Sequence, residues 1–368
     1  LIRQLPEMGQ VYVAGIAVTT GACVFLLRRK GNSRLNSAEK RYHAPPRLTL
    51  LGKALNALLT PLDFFRLGWQ FSRPIKLSTL KAQAATFAKL APDFGSDDTN
   101  PTANDDSVWY REKFGLAIDL LNGIQLTALG RFLCTGGLRN RFVARCRVRH
   151  ALKVAGPDCV SRPVESPVFV LGLPRTGTTF LHRLLTLDPE NRCPLTYELF
   201  DPALVVPGNP EEDARVRTEA MDAQIKTLRK LVPHIDDIHE IRADEPEECI
   251  LAMGMDLPML PATFNALMSE DLREQVLSWD MAPVYRNYKM VLQLLQHQRL
   301  SLSPAGTATP PRVPRWILKS PAHLGNLRGL LTAFPDAKVF TLLSRALYTL
   351  KERDGGAAVA SKVLFISF

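Results

Sequence analysis

SPVFVLGLPRTGTTFLHRLL, residues 166–185, changes character twice along its length. Val168-Phe169-Val170-Leu171 is a continuous apolar run, short enough for a strand and apolar enough for one covered on both faces. Gly172 to Thr179 is a turn rich in glycine and threonine, and Phe180 to Leu185 returns to helical spacing. Strand, tight loop and helix in that order open an α/β domain. Glycines let such a loop curl so that successive N–H groups, with the helix N-terminus behind them, surround an anion. The plainer reading is a tight turn whose two threonine hydroxyls cap the helix.

The loop keeps the G-x-x-x-x-G frame of a P-loop, yet Thr178 stands where the phosphate-binding lysine would be. No persuasive apolar run ends in an Asp suited to hold Mg²⁺. A loop that cradles one phosphate, with Arg175 as its cation, suits a donor with a single 5′-phosphate and a group that transfers without a metal. Sulfuryl transfer from a nucleotide fits, and the absent lysine argues against a small-molecule kinase. The fold expectation is a P-loop-like parallel sheet flanked by helices. A second unit supplies further strands at Trp316-Ile317-Leu318 and Lys338–Leu343, with a helix over Ala322–Phe334 between them.

Upstream, the pattern is helical over Arg47–Leu90 and Val108–Lys153, and Pro157–Pro167 is a punctuated linker. Val11–Leu27 carries no charge and is closed by Arg28, Arg29 and Lys30. As a helix it spans about 25 Å, slightly short of the hydrocarbon layer but sufficient with snorkelling ends. It reads as a single membrane-spanning helix rather than a signal peptide. The excess of Lys and Arg after it, from Arg28 to Arg41, places the bulk of the chain on the cytosolic side, with a Golgi-lumenal placement left open. The expected organisation is a transmembrane helix at 11–27, a linker at 28–46, a helical N-terminal region at 47–160, the α/β domain at 165–345 and a divergent tail at 346–368.

The 368 residues carry a formal net charge of +10, which implies an anionic partner. Seven of the basic residues lie between Arg131 and Lys153 without an acidic one. Phe132 and Phe142 are the aromatics of that stretch, too few for a base-stacking platform, so nucleic acid is not expected and a solvated or lipid-facing helix is. The six cysteines are scattered, without zinc spacing, and read as buried thiols. His234, Asp236 and His239 lack further ligands, so no metal site is expected.

Three stretches together resemble the sulfotransferase superfamily: the 166–185 segment with its P-R-T-G-T-T loop, HEIRADEPEEC (His239–Cys249) and WILKSPAHLGNLRGLLTAFPDAKV (Trp316–Val339). The resemblance implies transfer of a sulfuryl group from 3′-phosphoadenosine-5′-phosphosulfate (PAPS) to a hydroxyl of a small molecule, lipid or glycan, in line and without a metal. It implies that Arg175, Thr176, Gly177, Thr178 and Thr179 bind the 5′-phosphate and that Arg175 offsets charge on the bridging oxygen. Lys319 would be a second cation, with Ser320 beside it at the end of a strand, where parallel sheets place ligand groups. Glu198 is the expected general base, with His239 its rival. Asp244-Glu245-Pro246-Glu247-Glu248 reads either as a helix start, with Asp244 as N-cap and Pro246 in the first turn, or as part of an acceptor site.

The pattern departs from the family after Val339. Ser344 and Arg345 stand in for the residues that bind the 3′-phosphate, with Arg345 one position late, and Leu350 onward matches nothing expected. Leu1 and this tail read as signs of a partial or mis-spliced gene product. The alternative to an active enzyme is therefore a catalytically impaired, membrane-tethered nucleotide-binding protein of the same fold.

Overall fold

The computed structural model describes residues 50–65, 75–80, 82, 103–124, 126–173, 176–231, 235–256, 270–300, 313–343 and 363–367. The expected membrane span Val11–Leu27 and the linker after it lie outside these residues. Among the described residues no helix is long and apolar enough to cross a membrane. The chain divides into two compact units, one of Leu1–Arg147, Val216–Ala243 and Gly254–Gln275, the other of Val148–Arg215, Asp244–Met253 and Val276–Phe368.

The first unit is helical, as the spacing of apolar residues predicts. It holds α1 (Leu50–Phe64), α2 (Ala103–Gly123) and the greater part of α3 (Ala128–Ala155). Asn122 fastens the end of α2 to Ile75 through both of that residue's backbone groups, at 2.9 and 3.1 Å. Tyr110, Phe114 and Phe142 form a ring cluster, with Phe114 and Phe142 centroids 4.7 Å apart. The arginines of α3 overturn the expectation of a solvated or lipid-facing face, because Arg131, Arg139, Arg141 and Arg145 are all buried. Arg145 shows why burial is tolerated there. Its guanidinium lies 3.8 Å from the Tyr110 ring centroid and pairs with Asp256, so desolvation is offset by an aromatic face and a carboxylate. Burial holds the Arg139 and Arg141 guanidinium groups down at about 10.

The second unit is built on a parallel sheet. Its strands are β1 (Val168–Gly172), β2 (Asn191–Arg192), β3 (Arg315–Lys319), β4 (Lys338–Leu343) and β5 (Val363–Ser367), in spatial order β2-β3-β1-β4-β5. All four pairings are parallel. β1 is central and buried at every position, which is what its unbroken apolar run encodes. Val168 and Val170 pack with Ile317 and Leu342, and Leu181 and Leu185 of α4 (Thr178–Leu185) lie against them. On Phe169 sit His323 and Phe334, at 5.1 and 5.3 Å between centroids. Further helices of the chain are α5 (Thr196–Phe200), α6 (Pro210–Leu231), α7 (Ile250–Met253), α8 (Ala282–Leu300) and α9 (Leu327–Ala333).

Two local expectations change. The helix read over Ala322–Phe334 is a 3-10 turn, Pro321–Gly325, followed by α9. Ser320 caps the turn through the Ala322 N–H, and Asn326 closes it on the Ala322 carbonyl. Asp244–Glu248 does not start a helix. Pro246 instead bridges Leu195 antiparallel, Thr196 N–H donates to the Glu245 carbonyl and Glu247 N–H to the Pro194 carbonyl, so these backbone groups serve a cross-chain pairing. The tail read as divergent contributes β5, in register from Val339↔Val363 to Leu343↔Ser367. The expectation for cysteine holds where the structure describes it: Cys134, Cys146, Cys159, Cys193 and Cys249 are buried and free.

Two histidines sit buried in the second unit. Burial, aided by the charge of Lys319, pushes His182 down to about 4, and burial pushes His323 down to about 3. A depressed imidazole adds stability that is complete above about pH 6.5 and drains away as pH falls toward the folded value. Unfolding free energy measured in urea is therefore expected to drop between pH 6.5 and 4, with His182→Gln removing about 3 kcal/mol of that dependence. An unchanged pH profile in the variant would refute the assignment.

Candidate active site

The C-terminal end of β1 leads into the glycine-threonine loop, and steric constraint fixes the loop's entry. A Cβ on Gly172 would lie 2.6 Å from Thr176 Oγ1, 2.7 Å from Thr178 Cγ2 and 3.0 Å from the Leu342 carbonyl oxygen of β4. Gly177 has φ 86°, a left-handed conformation that only glycine adopts at little cost, and from it α4 begins. Thr176 Oγ1 donates to the Leu173 carbonyl at 2.7 Å and closes the curl. Thr178 is buried and Thr179 exposed. The first-turn N–H groups of α4 have no intrahelical acceptor, so the loop ends in outward-facing donors and the positive end of a helix dipole.

β3, next to β1, delivers Lys319 to the same edge. Its side chain is 2% exposed, and its ammonium donates to Glu248 Oε1 at 2.8 Å and reaches Thr179 Oγ1 at 3.4 Å. Cys249 N–H donates to the Lys319 carbonyl at 2.9 Å, which fastens the backbone after Glu248 to the strand end. Arg183 of α4 pairs with Glu245 at 2.6 Å. Below the loop, His182 Nε2 lies 3.1 Å from the Ile317 carbonyl. A hydroxyl, a cation and a carboxylate thus stand together where the strands end, the edge at which open α/β sheets hold ligands.

Of the residues named from sequence, the structure brings together Thr176, Gly177, Thr178, Thr179, Lys319 and Ser320. Ser320 is fully buried, and its hydroxyl serves the turn after β3. Arg175, Ser344 and Arg345 lie outside the described residues. Glu198 is buried in the first turn of α5, and both its oxygens are engaged, one by Arg192 Nη2 and the other by the Leu195 N–H at 3.0 Å. His239 belongs to the first unit, where its N–H ends a turn on the Ile235 carbonyl. Asp236 forms a two-pronged pair with Arg229. Among the described residues no group of His, Cys, Asp and Glu is arranged to hold a metal. Sequence reasoning passed over Glu248 as an individual residue. Its signal was the acidic run 244–248, whose weight shifted to a helix start.

Residues 167–343 match the model of the family described as Sulfotransferase family. These residues form a sulfotransferase-family domain. The crystal structure of sulfotransferase STF1 from Mycobacterium tuberculosis H37Rv is similar at 27% identity and TM-score 0.53, over 75% of this chain and 68% of that one. The crystal structure of sulfotransferase STF9 from Mycobacterium avium is similar at 26% identity and TM-score 0.58, over 77% of this chain and 67% of that one. No curated protein sequence matches the chain significantly. The family likeness and the parallel sheet agree that this is a sulfotransferase-type α/β domain.

The crowding at Gly172 makes a direct prediction. Gly172→Ala must push Thr176 and Thr178 aside or separate β1 from β4, at a cost of about 1–3 kcal/mol. Chemical denaturation would show it as a lower midpoint, whereas Gly115→Ala, in open space on α2, is expected to leave the midpoint unchanged or raise it.

Proposed function

We propose that the chain transfers a sulfuryl group from PAPS to a hydroxyl acceptor, in line and without a metal. The observation that carries this reading is the meeting of Thr179, Lys319 and Glu248 at the mouth of the glycine loop. The residues present fit a nucleotide phosphosulfate. The Gly172 and Gly177 positions bring backbone close to an anion without intervening side chains, α4 points its N-terminus there, and Lys319 adds a positive charge. When bound, PAPS supplies an activated sulfuryl group whose S–O bond to the 5′-phosphate breaks as the acceptor oxygen bonds to sulfur.

Each residue then has a distinct task. The loop N–H groups of Gly177 to Thr179, with Arg175, hold the phosphate. Lys319 stabilises the negative charge that grows on the departing oxygen, an interaction stronger in the transition state than before it. Glu248 takes the acceptor proton. This reading gives the proton to Glu248 rather than Glu198, because both Glu198 oxygens are held by Arg192 and Leu195. Before substrate arrives, the Lys319–Glu248 pair keeps each group's charge compensated. As part of the same proposal, Val11–Leu27 anchors the chain to a membrane with this domain on the cytosolic side, supported by the uncharged run and the basic residues after it. Resistance to alkaline carbonate extraction tests the anchor.

Calorimetry with adenosine 3′,5′-bisphosphate on the full chain tests the cofactor site. Binding is expected, with at least a tenfold loss in Arg175→Ala. In turnover assays on a panel of phenols, sterols and sugars, Lys319→Met and Glu248→Gln are each expected to lower kcat by about 10²–10⁴ with bisphosphate affinity changed far less for Glu248→Gln. A Glu198→Gln variant that loses kcat while Glu248→Gln keeps it would move the proton back to Glu198. Bisphosphate binding without turnover of any acceptor would favour the impaired nucleotide-binding protein.

A further inference from the structure

Helix α1 (Leu50–Phe64) is apolar on its inner and its outer side. On the inner side Gly52 is buried, Leu55, Leu59 and Leu62 are half-buried, and Asn56 fastens the helix to α3 by accepting the Leu129 N–H at 3.2 Å. The outer side carries Leu50, Leu51, Leu58, Pro61, Phe64 and Phe65, with Ala54 and Ala57 between them, and all of these are exposed. Leu50, Leu58 and Phe64 are exposed to 84%, 69% and 78%. At 3.6 residues per turn these positions form one stripe about 140° wide along the helix.

The stripe is continuous. Phe65 N–H donates to the Pro61 carbonyl at 2.9 Å, which carries the turn past Phe64, and the two rings meet edge to face at 5.1 Å. Lys53 stands on its flank rather than within it, and Thr60 spends its hydroxyl proton on the Asn56 carbonyl at 2.6 Å. A helix that is apolar on both sides belongs inside something, and an exposed apolar stripe of this extent marks a contact surface. The 15 residues of α1 reach only about 22 Å, so the helix is suited to lie in the plane of a lipid surface and not to cross it. The surrounding charge selects that surface: residues 40–92 hold nine basic residues and a single acidic one, Asp63. Anionic headgroups attract such a segment, while leucine and phenylalanine side chains enter the boundary between headgroups and acyl chains.

We propose that the outer side of α1 is a docking surface for an anionic membrane, with its leucines and phenylalanines seated among the lipids and the basic residues around it at the headgroups. The inference depends neither on sulfuryl transfer nor on Val11–Leu27 spanning a bilayer.

Co-sedimentation with vesicles tests it, using the full chain carrying Val18→Asp, which puts a charge in the middle of Val11–Leu27 and so removes that run as an anchor. This chain is expected to bind vesicles of equal parts phosphatidylserine and phosphatidylcholine, to bind phosphatidylcholine alone several-fold more weakly, and to lose its preference at high salt. Adding Leu58→Gln and Phe64→Gln is expected to weaken binding at least tenfold while leaving the thermal midpoint of the free protein unchanged. Undiminished vesicle binding by that variant would overturn the proposal. Equal affinity for the two kinds of vesicle would rule out an anionic surface as the partner. A lower midpoint with vesicle affinity retained would mean that protein covers the face, either another segment of this chain or a second copy, and would equally overturn it.

Discussion

Burying the ammonium of Lys319 is the constraint that organises the rest of the α/β unit. A strand end with 2% exposure can hold a charged lysine only if a carboxylate meets it, and Glu248 is that carboxylate. To deliver it, the segment from Asp244 to Cys249 must run along the sheet edge instead of coiling into a helix. It is stitched there by Pro246 against Leu195, by Glu247 against Pro194 and by Cys249 against Lys319. The same stitching draws the Leu195–Glu198 turn into place, and Arg183 secures the segment from α4 through Glu245. One desolvated charge thus couples the three stretches on which the sulfotransferase resemblance rests.

That coupling explains what could and could not be read from sequence. β1, β3 and β4 were legible because a buried parallel strand needs an apolar run, which Val168–Leu171 and Trp316–Leu318 supply unbroken and Lys338–Leu343 supplies with Thr341 inside it. The loop was legible because Gly172 and Gly177 answer local demands, one for space and one for a left-handed backbone. The role of Glu248 was hidden, since its partner lies 71 positions away and nothing local separates it from the acidic residues beside it. Asp244 and Pro246 carry true helix-start chemistry, but tertiary pairing of their backbone outweighs that propensity. The buried arginines of α3 were misjudged for a similar reason. Asp256 and the face of Tyr110 reach Arg145 from distant parts of the chain.

The two ends of β3 show how one short strand can serve opposite electrostatic purposes. At Lys319 a single cation is matched by a single carboxylate close to helix-borne donors, a balance that an incoming anionic substrate can displace. At Trp316 the indole carries Arg192 on its face and donates its N–H to Gln296, so the ring is both a cation support and a hydrogen-bond anchor. The residues between are buried and apolar, keeping the two ends from sharing solvent through the strand.

The strand order has a consequence for biosynthesis. β1 leaves the ribosome early, yet the strands that flank it, β3 and β4, begin only at Arg315 and Lys338. At about 5–20 residues per second, β1 spends on the order of ten seconds or more with both hydrogen-bonding edges unpaired. Val168–Leu171 is apolar and uncharged, so during that interval it is exposed to improper strand pairing. Arg175, emerging directly behind it and before its true neighbours, puts a charge beside the strand in the nascent chain, where a gatekeeper against aggregation stands.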